Sequence, residues 1–265
     1  MWRTFVLMWI AARCVIAADV PAPRVAPSYT AASIVNAADN QSGVLAPNAI
    51  GTIYGTNLSY STAGLNAGDI QGGLLPIILG SSETSVFVGN IAAPLYYVSP
   101  TQINFQVPSN LRAVPVSVWV TVDALAGPII PLTLAPSAPA LFQLDAKTAI
   151  ATEVDGTVLT QDAPAHPGDI VVLYATGLGA TVPPAAYREV APSAAPLAPG
   201  ANLQILLDGA AVDPAAIEYA GLAPGFAGLY QINLSLPPAT GANPEIRLVM
   251  GSASSIAGVH LPVAP

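Results

Sequence analysis

Two histidines and fifteen acids make up the general acid–base repertoire of this sequence, and their neighbours decide what they can do. A hydrolase needs a base matched to neutral pH beside its nucleophile. His166 precedes a Pro167-Gly168 turn and reads as a loop residue; His260 alternates between Val259 and Leu261 and reads as the outward side of a last strand. No Gly-x-Ser-x-Gly elbow occurs, and Gly251 to Ser255 resembles a turn. Paired carboxylates would permit glycoside hydrolysis without histidine. Most acids here stand beside turn residues, as in Asp155-Gly156, Asp208-Gly209 and Asp213-Pro214, where Asp caps its own backbone. Glu153, Asp155, Asp162 and Asp169 gather near one end of the second half as candidate calcium ligands, although their spacing matches no calcium loop. Gly64 to Gly73 lacks the Lys and helix of a phosphate cradle. No catalytic residue, cofactor or metal site is therefore assigned.

Binding chemistry is better represented. Gln102, Asn104 and Gln106 alternate with Ile103, Phe105 and Val107, and Gln231, Asn233 and Ser235 alternate with Ile232, Leu234 and Leu236. In a strand this pattern separates an apolar face from a polar one. The polar stripes suit either solvent or sugar hydroxyls. Tyr96 and Tyr97 are adjacent, so at most one faces out. Tyr219, Phe226 and Tyr230 flank a Gly/Pro loop and are expected to pack it down. Asn40-Gln-Ser, Asn57-Leu-Ser and Asn233-Leu-Ser have the form of glycosylation acceptors for a eukaryotic secretory route, which nothing else in the sequence suggests.

These stripes belong to a duplication. Pro47-Asn-Ala-Ile-Gly-Thr-Ile-Tyr-Gly-Thr-Asn-Leu58 returns at an offset of 120 as Pro167-Gly-Asp-Ile-Val-Val-Leu-Tyr-Ala-Thr-Gly-Leu178. Gln102 to Pro108 returns at an offset of 129 as Gln231 to Pro237. Such a period is a domain, not a solenoid unit. Strands are expected over Ser33–Val35, Ile50–Tyr54, Leu74–Leu79, Ser85–Val88, Gln102–Val107, Val116–Val122 and Leu132–Leu134. A second set is Ile170–Tyr174, Leu203–Leu207, Tyr230–Leu236, Ile246–Met250 and Val259–Leu261, with a hairpin turning at Asp155-Gly156. These runs are short and bounded by Gly, Pro, Asn or Asp. Pro136 to Ala140 reads as a hinge and Pro183 to Pro199 as a long surface loop.

Composition narrows the class further. The chain is 53% hydrophobic and 8% charged, with 22 Gly and 27 Pro, which supports short strands and turns over long helices. A net charge of −8 argues against nucleic acid as a partner. Arg3, the apolar run Thr4 to Ala12 and the small residues near Ala17 read as an export signal, too short to span a bilayer. The one cysteine, Cys14, lies inside it, so the remainder has no thiol chemistry. The organisation is a signal peptide over 1–17, a Pro-rich leader over 18–32, and domains over 33–142 and 144–265.

The run Pro47 to Leu58, followed by Val86-Phe-Val-Gly89 and Gln102 to Pro108, resembles immunoglobulin-like IPT/TIG domains. The second copy, through Pro167 to Gly179 and the run Tyr219-Ala-Gly-Leu-Ala-Pro-Gly-Phe-Ala-Gly-Leu-Tyr-Gln-Ile-Asn233, is similar to a C-terminal domain of unknown function in secreted acidobacterial proteins. The resemblance implies an all-β chain of two tandem immunoglobulin-like (IPT/TIG-type) β-sandwich domains. The expected role is an exported, non-enzymatic module for binding, adhesion or spacing, secreted or at the cell surface. Its expected partner is an extracellular protein or a cell-surface glycan, with no membrane span after signal cleavage. Two alternatives stand beside it: a carbohydrate-binding module using the polar sheet faces, and a carboxylate-based glycoside hydrolase.

Overall fold

A computed structural model describes residues 24–265. The expected signal peptide, Cys14 and the start of the leader lie outside them. The chain is all-β: among the described residues the helical elements are three short 3-10 turns, Ala31–Ser33, Ala67–Asp69 and Pro214–Ala216. No helix there is long and apolar enough to cross a membrane.

The strands form two immunoglobulin-like sandwiches, each around its own core. In the first, one sheet runs Ile34–Asn36, Ile50–Tyr54, Gln102–Gln106, Leu95–Val98, Ala63–Gly64. In the second, the matching sheet runs Ala140–Leu141, Ile170–Thr176, Tyr230–Ser235, Ile217–Leu222, Ala195–Pro196. The spatial order is the same in both, so the duplication extends from sequence to topology. The facing sheets centre on Pro115–Val122 beside Ser85–Val88, and on Ile246–Met250 beside Leu203–Leu207.

Alternation places the cores as the pattern dictates. Ile103, Phe105 and Val107 are fully buried in the first, and Tyr230, Ile232 and Leu234 in the second. Gly51 is fitted to that core, because a Cβ there would lie 2.8 Å from the Phe105 ring.

Among the strands of four residues or more, two escape the periodicity argument. Leu95–Val98 and Ile217–Leu222 occupy equivalent places, and both slip register, between Leu95 and Tyr97 and between Ile217 and Tyr219. An extra residue breaks the two-residue period, which is why a run such as Leu-Tyr-Tyr-Val does not read as a half-buried strand. The converse error falls on Leu74–Leu79, which makes only isolated bridges, and on Val259–Leu261. Pro76 interrupts the first run and Pro262 follows directly on the second, and proline cannot donate to a ladder.

The end of the expected leader belongs to the first sandwich. Tyr29 is buried; its hydroxyl donates to the Pro128 carbonyl at 2.6 Å and accepts from the Val120 amide at 2.8 Å. Arg24 beside it pairs with Asp123 and lies over the Tyr60 ring.

Candidate functional site

Two features expected to be loose are fixed in place. The Pro136 to Ala140 linker is held from both sides. Ala135 donates to the Leu45 carbonyl at 2.9 Å in the first sandwich, and Ala138 donates to the Gly177 carbonyl at 2.8 Å in the second. Gly177 has φ +75°, and a Cβ there would fall 2.1 Å from the Ala138 carbonyl oxygen. The linker is therefore a seated joint, not a hinge. Likewise Pro183 to Pro199 is no free surface loop: its middle, Tyr187 to Val190, folds over the first sandwich as a strap. Leu75 donates to the Arg188 carbonyl at 2.8 Å, Val190 donates to that of Gly73 at 2.9 Å, and Arg188 Nε donates to that of Leu75 at 2.7 Å. The Tyr187 hydroxyl adds a bond to the Ala92 carbonyl at 2.5 Å. Its end, Ala195–Pro196, is an edge strand of the second sandwich opposite Leu222 and Gly221; upstream of it proline and alanine leave no strand pattern, and the backbone groups of Arg188 and Val190 pair across the junction instead.

Between strap and joint runs a buried relay. Gln106 Nε2 donates to Asn48 Oδ1 at 2.6 Å, Asn48 Nδ2 donates to the Tyr230 hydroxyl at 3.2 Å, and that hydroxyl donates to the Gly179 carbonyl at 2.5 Å. Beside it the Thr176 hydroxyl accepts from the Ile50 amide at 2.9 Å and donates to the Gly228 carbonyl at 2.8 Å. Burial is the main reason the Tyr230 hydroxyl is pushed up to about 12, with the Asn48 bond pulling the other way. Gln106, expected on the wet stripe, is only 1% exposed because the second sandwich covers it, and its Oε1 has no partner. A cleft of about 270 Å³ along the junction is lined by Asn48, Ser109, Pro136, Thr181 and Pro184.

Beyond the covered end, each outer sheet face carries the same set of side chains. Tyr54 pairs with Gln102 and Tyr97 with Asn104; in the second copy Tyr174 pairs with Gln231 and Tyr219 with Asn233. Gln102 Nε2 donates to Asn104 Oδ1 at 2.9 Å, and Gln231 Nε2 donates to Asn233 Oδ1 at 2.8 Å. Residues two apart in a strand share a face, which brings the two amides together. Thr52 adds a second donor to Asn104 Oδ1 at 3.1 Å in the first copy. In the second, the Tyr219 hydroxyl donates to the Leu222 carbonyl at 2.6 Å and lies over Gly221, across from Gln231. Ser235, at the far end, donates to Glu218 at 2.5 Å.

The acid–base candidates are spent locally. Asp169 Oδ2 accepts from the His166 backbone amide at 2.7 Å, closing the Pro167-Gly168 turn, while the ring stays 3.7 Å away. Asp155 Oδ1 accepts from Thr157 at 2.9 Å, and those hydrogen bonds lower its pKa. The Glu153 carboxyl is pushed up, first by burial and then by Asp169 and Asp155, so these acids are near enough to feel one another. Among the described residues no group of three or more His, Cys, Asp or Glu is gathered as a metal site. His260 Nδ1 lies 2.9 Å from the Asn243 carbonyl oxygen.

The aromatic pairs divide. The Tyr96 hydroxyl crosses the junction to the Ala227 carbonyl at 2.7 Å, whereas Tyr97 stays on the outer face. Tyr230 is buried and Phe226 is exposed, against the expectation that it packs its loop down. A cross-strand pair absent from the sequence reading, Phe87 and Trp119, stacks at 5.1 Å on the outer side of the other sheet. Its alternation with buried Val86, Val88, Val118 and Val120 was the available signal.

The IPT/TIG domain family matches residues 40–135, within the first sandwich. No curated protein matches the chain. Among solved structures it is similar to the surface glycan-binding protein PbSGBP-B from Prevotella bryantii (14% identity, TM-score 0.28), over 89% of this chain and 43% of that one. It is also similar to SGBP-B of a Bacteroides ovatus mixed-linkage glucan utilization locus in complex with a heptasaccharide (9% identity, TM-score 0.34), over 83% and 42%. For the tandem Ig repeats of Dlar the identity is 11% and the TM-score 0.21, over 91% and 95%. The chain spans less than half the length of the two glycan-binding structures.

Proposed function

We propose that this chain is a non-catalytic extracellular module: two immunoglobulin-like sandwiches locked into one body that holds a binding surface at a fixed geometry. The observation that carries the reading is the strap, whose Arg188 and Val190 pair with Gly73 and Leu75 of the other sandwich. A tandem built only to string domains along would leave the joint free; here linker, strap and relay constrain it together. Rigid presentation lowers the ordering cost of binding.

Export is supported by the Arg3-led apolar run at the start of the sequence. A non-catalytic role is supported by the local use of His166, Asp155 and Asp169. The partner is a surface protein or glycan, and the module serves adhesion, spacing or both. Two measurements on the purified mature chain test the reading. Small-angle scattering is expected to give one compact rigid envelope, and incubation with polysaccharides no turnover. Hydrolysis of any of them would instead establish the carboxylate-based hydrolase.

A further inference from the structure

Resting on the reading of the chain as a binding module, we infer that the two outer sheet faces are equivalent subsites for a neutral glycan. Each is built from an amide pair bracketed by tyrosines: Gln102 and Asn104 with Tyr54 and Tyr97, and Gln231 and Asn233 with Tyr174 and Tyr219.

The amide geometry comes first. Because each Gln Nε2 is committed to its Asn Oδ1, at 2.9 and 2.8 Å, the two side chains hold each other in place. Gln Oε1 and Asn Nδ2 are left as an acceptor and a donor side by side. A pair of adjacent sugar hydroxyls, each able both to donate and to accept, satisfies both at once. The fixed orientation means little rotamer freedom is lost on binding. The tyrosines stand cross-strand from the amides, where aromatic rings can cover the apolar C–H face of a sugar. Gly221 leaves the space in which the Tyr219 hydroxyl lies across from Gln231.

Duplication supplies a second, independent observation. Solvent asks for polar residues on an outer face, but not for the same four side chains, one Gln, one Asn and two Tyr, with the same internal hydrogen bond. The two copies differ elsewhere along these strands, with Thr52 against Val172 and Gln106 against Ser235. The register slip that sets Tyr97 opposite Asn104 also sets Tyr219 opposite Asn233.

Charge selects the occupant. Neither amide pair nor its tyrosines carry charge, and the chain bears −8 overall, so a polyanion is repelled and a neutral ligand is not. An added β-strand is excluded at these positions because both central strands are paired on each side. The faces also converge on the junction, where Ile50 and Gln106 of one meet Thr176 and Gly228 of the other. A rigid joint would thus hold the two subsites at a constant separation, and a single long chain engaging both gains avidity.

Binding of the purified chain to immobilised β-glucan, xylan, mannan and starch is compared with binding to polygalacturonate and heparin. At least one neutral polymer is expected to retain it, and the two polyanions are not. Gln231→Ala with Asn233→Ala should weaken that binding by about tenfold or more, and so should Gln102→Ala with Asn104→Ala. The four together should abolish it, with melting temperatures within a few degrees of the parent. Parent-like binding by the fourfold variant overturns the inference, as does loss of binding on Trp119→Ala alone, which would move the site to the Phe87–Trp119 face. Failure to bind any neutral polymer also overturns it. In that case a rigid scattering envelope with no turnover still leaves the module reading standing.

Discussion

Asn48, in the turn that opens a central strand of the first sandwich, donates its amide to the Tyr230 hydroxyl at 3.2 Å across a sequence separation of 182 residues. The same amide receives Gln106, so one side chain joins a strand of each sandwich. Gly168 occupies the equivalent turn of the second copy with φ +95°, and Asn48 itself has φ +68°. The position needs a left-handed residue in both copies, and in the first that residue also carries the junction.

Asn48→Gly keeps the turn and removes the amide. Gln106 Nε2 and the Tyr230 hydroxyl then each lose a partner in a buried setting, at a cost of about 1–3 kcal/mol. Urea unfolding should show the lower midpoint. A midpoint equal to that of the parent would mean the relay contributes nothing.

Gly228 approaches the first sandwich closely: a Cβ there would lie 2.7 Å from the Asn48 carbonyl oxygen. Gly225, three residues earlier, has φ +84° against +65° for Gly228, yet nothing stands within 4 Å of its Cβ position. Gly225→Ala should cost only backbone strain of about 1 kcal/mol. Gly228→Ala should cost more and open the junction, visible as faster proteolysis of the Pro183 to Pro199 segment. Equal behaviour of the two variants would contradict a close-packed junction at Gly228.

Alkaline pH should weaken the fold. The hydroxyls of Tyr29 and Tyr230 are pushed up from 10.0 to about 12, chiefly by burial. Below pH 10 both are neutral in the folded and unfolded chains, and their contribution is intact. Between pH 10 and 12 the unfolded chain releases these protons while the folded chain keeps them, so stability falls. The slope is up to about 1.4 kcal/mol per pH unit for each group. Urea midpoints taken from pH 8 to 12 should trace that loss, and Tyr230→Phe should make it shallower. An unchanged slope in that variant would show that Tyr230 is not the group responsible.

The strap depends on backbone pairing more than on any one side chain. Arg188→Ala removes only the Nε bond to the Leu75 carbonyl, and should cost less than about 1.5 kcal/mol. Pro at Val190 would instead delete the amide that pairs with Gly73, and should release the strap. Hydrogen exchange at Leu75 and Val190 would read the difference: protected in the parent, slowly exchanging in Arg188→Ala, and fast at Leu75 in Val190→Pro.

Much of the architecture was legible because the central strands repeat with strict alternation, as in Ile103, Phe105 and Val107 against Gln102, Asn104 and Gln106. Even the Gln–Asn pairs follow from that alternation. The bulged strands did not, since the slips at Leu95/Tyr97 and Ile217/Tyr219 spoil the period on which recognition depends. Least legible was the junction. Asn48 and Tyr230 are far apart in sequence, Gln106 has the pattern of a solvent-facing residue, and the strap's Pro and Ala give no signal of a partner. Periodicity reports which face of an element is buried against its own core, not what later covers the other face.

The central claim is that the two sandwiches form one rigid body, and a distance distribution between them tests it most directly. Spin labels at Thr62→Cys and Asp162→Cys, both exposed, would be read by pulsed electron resonance in a Cys14→Ser background. A single narrow distance is predicted, broadening when Val190→Pro frees the strap. A distribution already broad in the parent would contradict the locked junction and the account built on it.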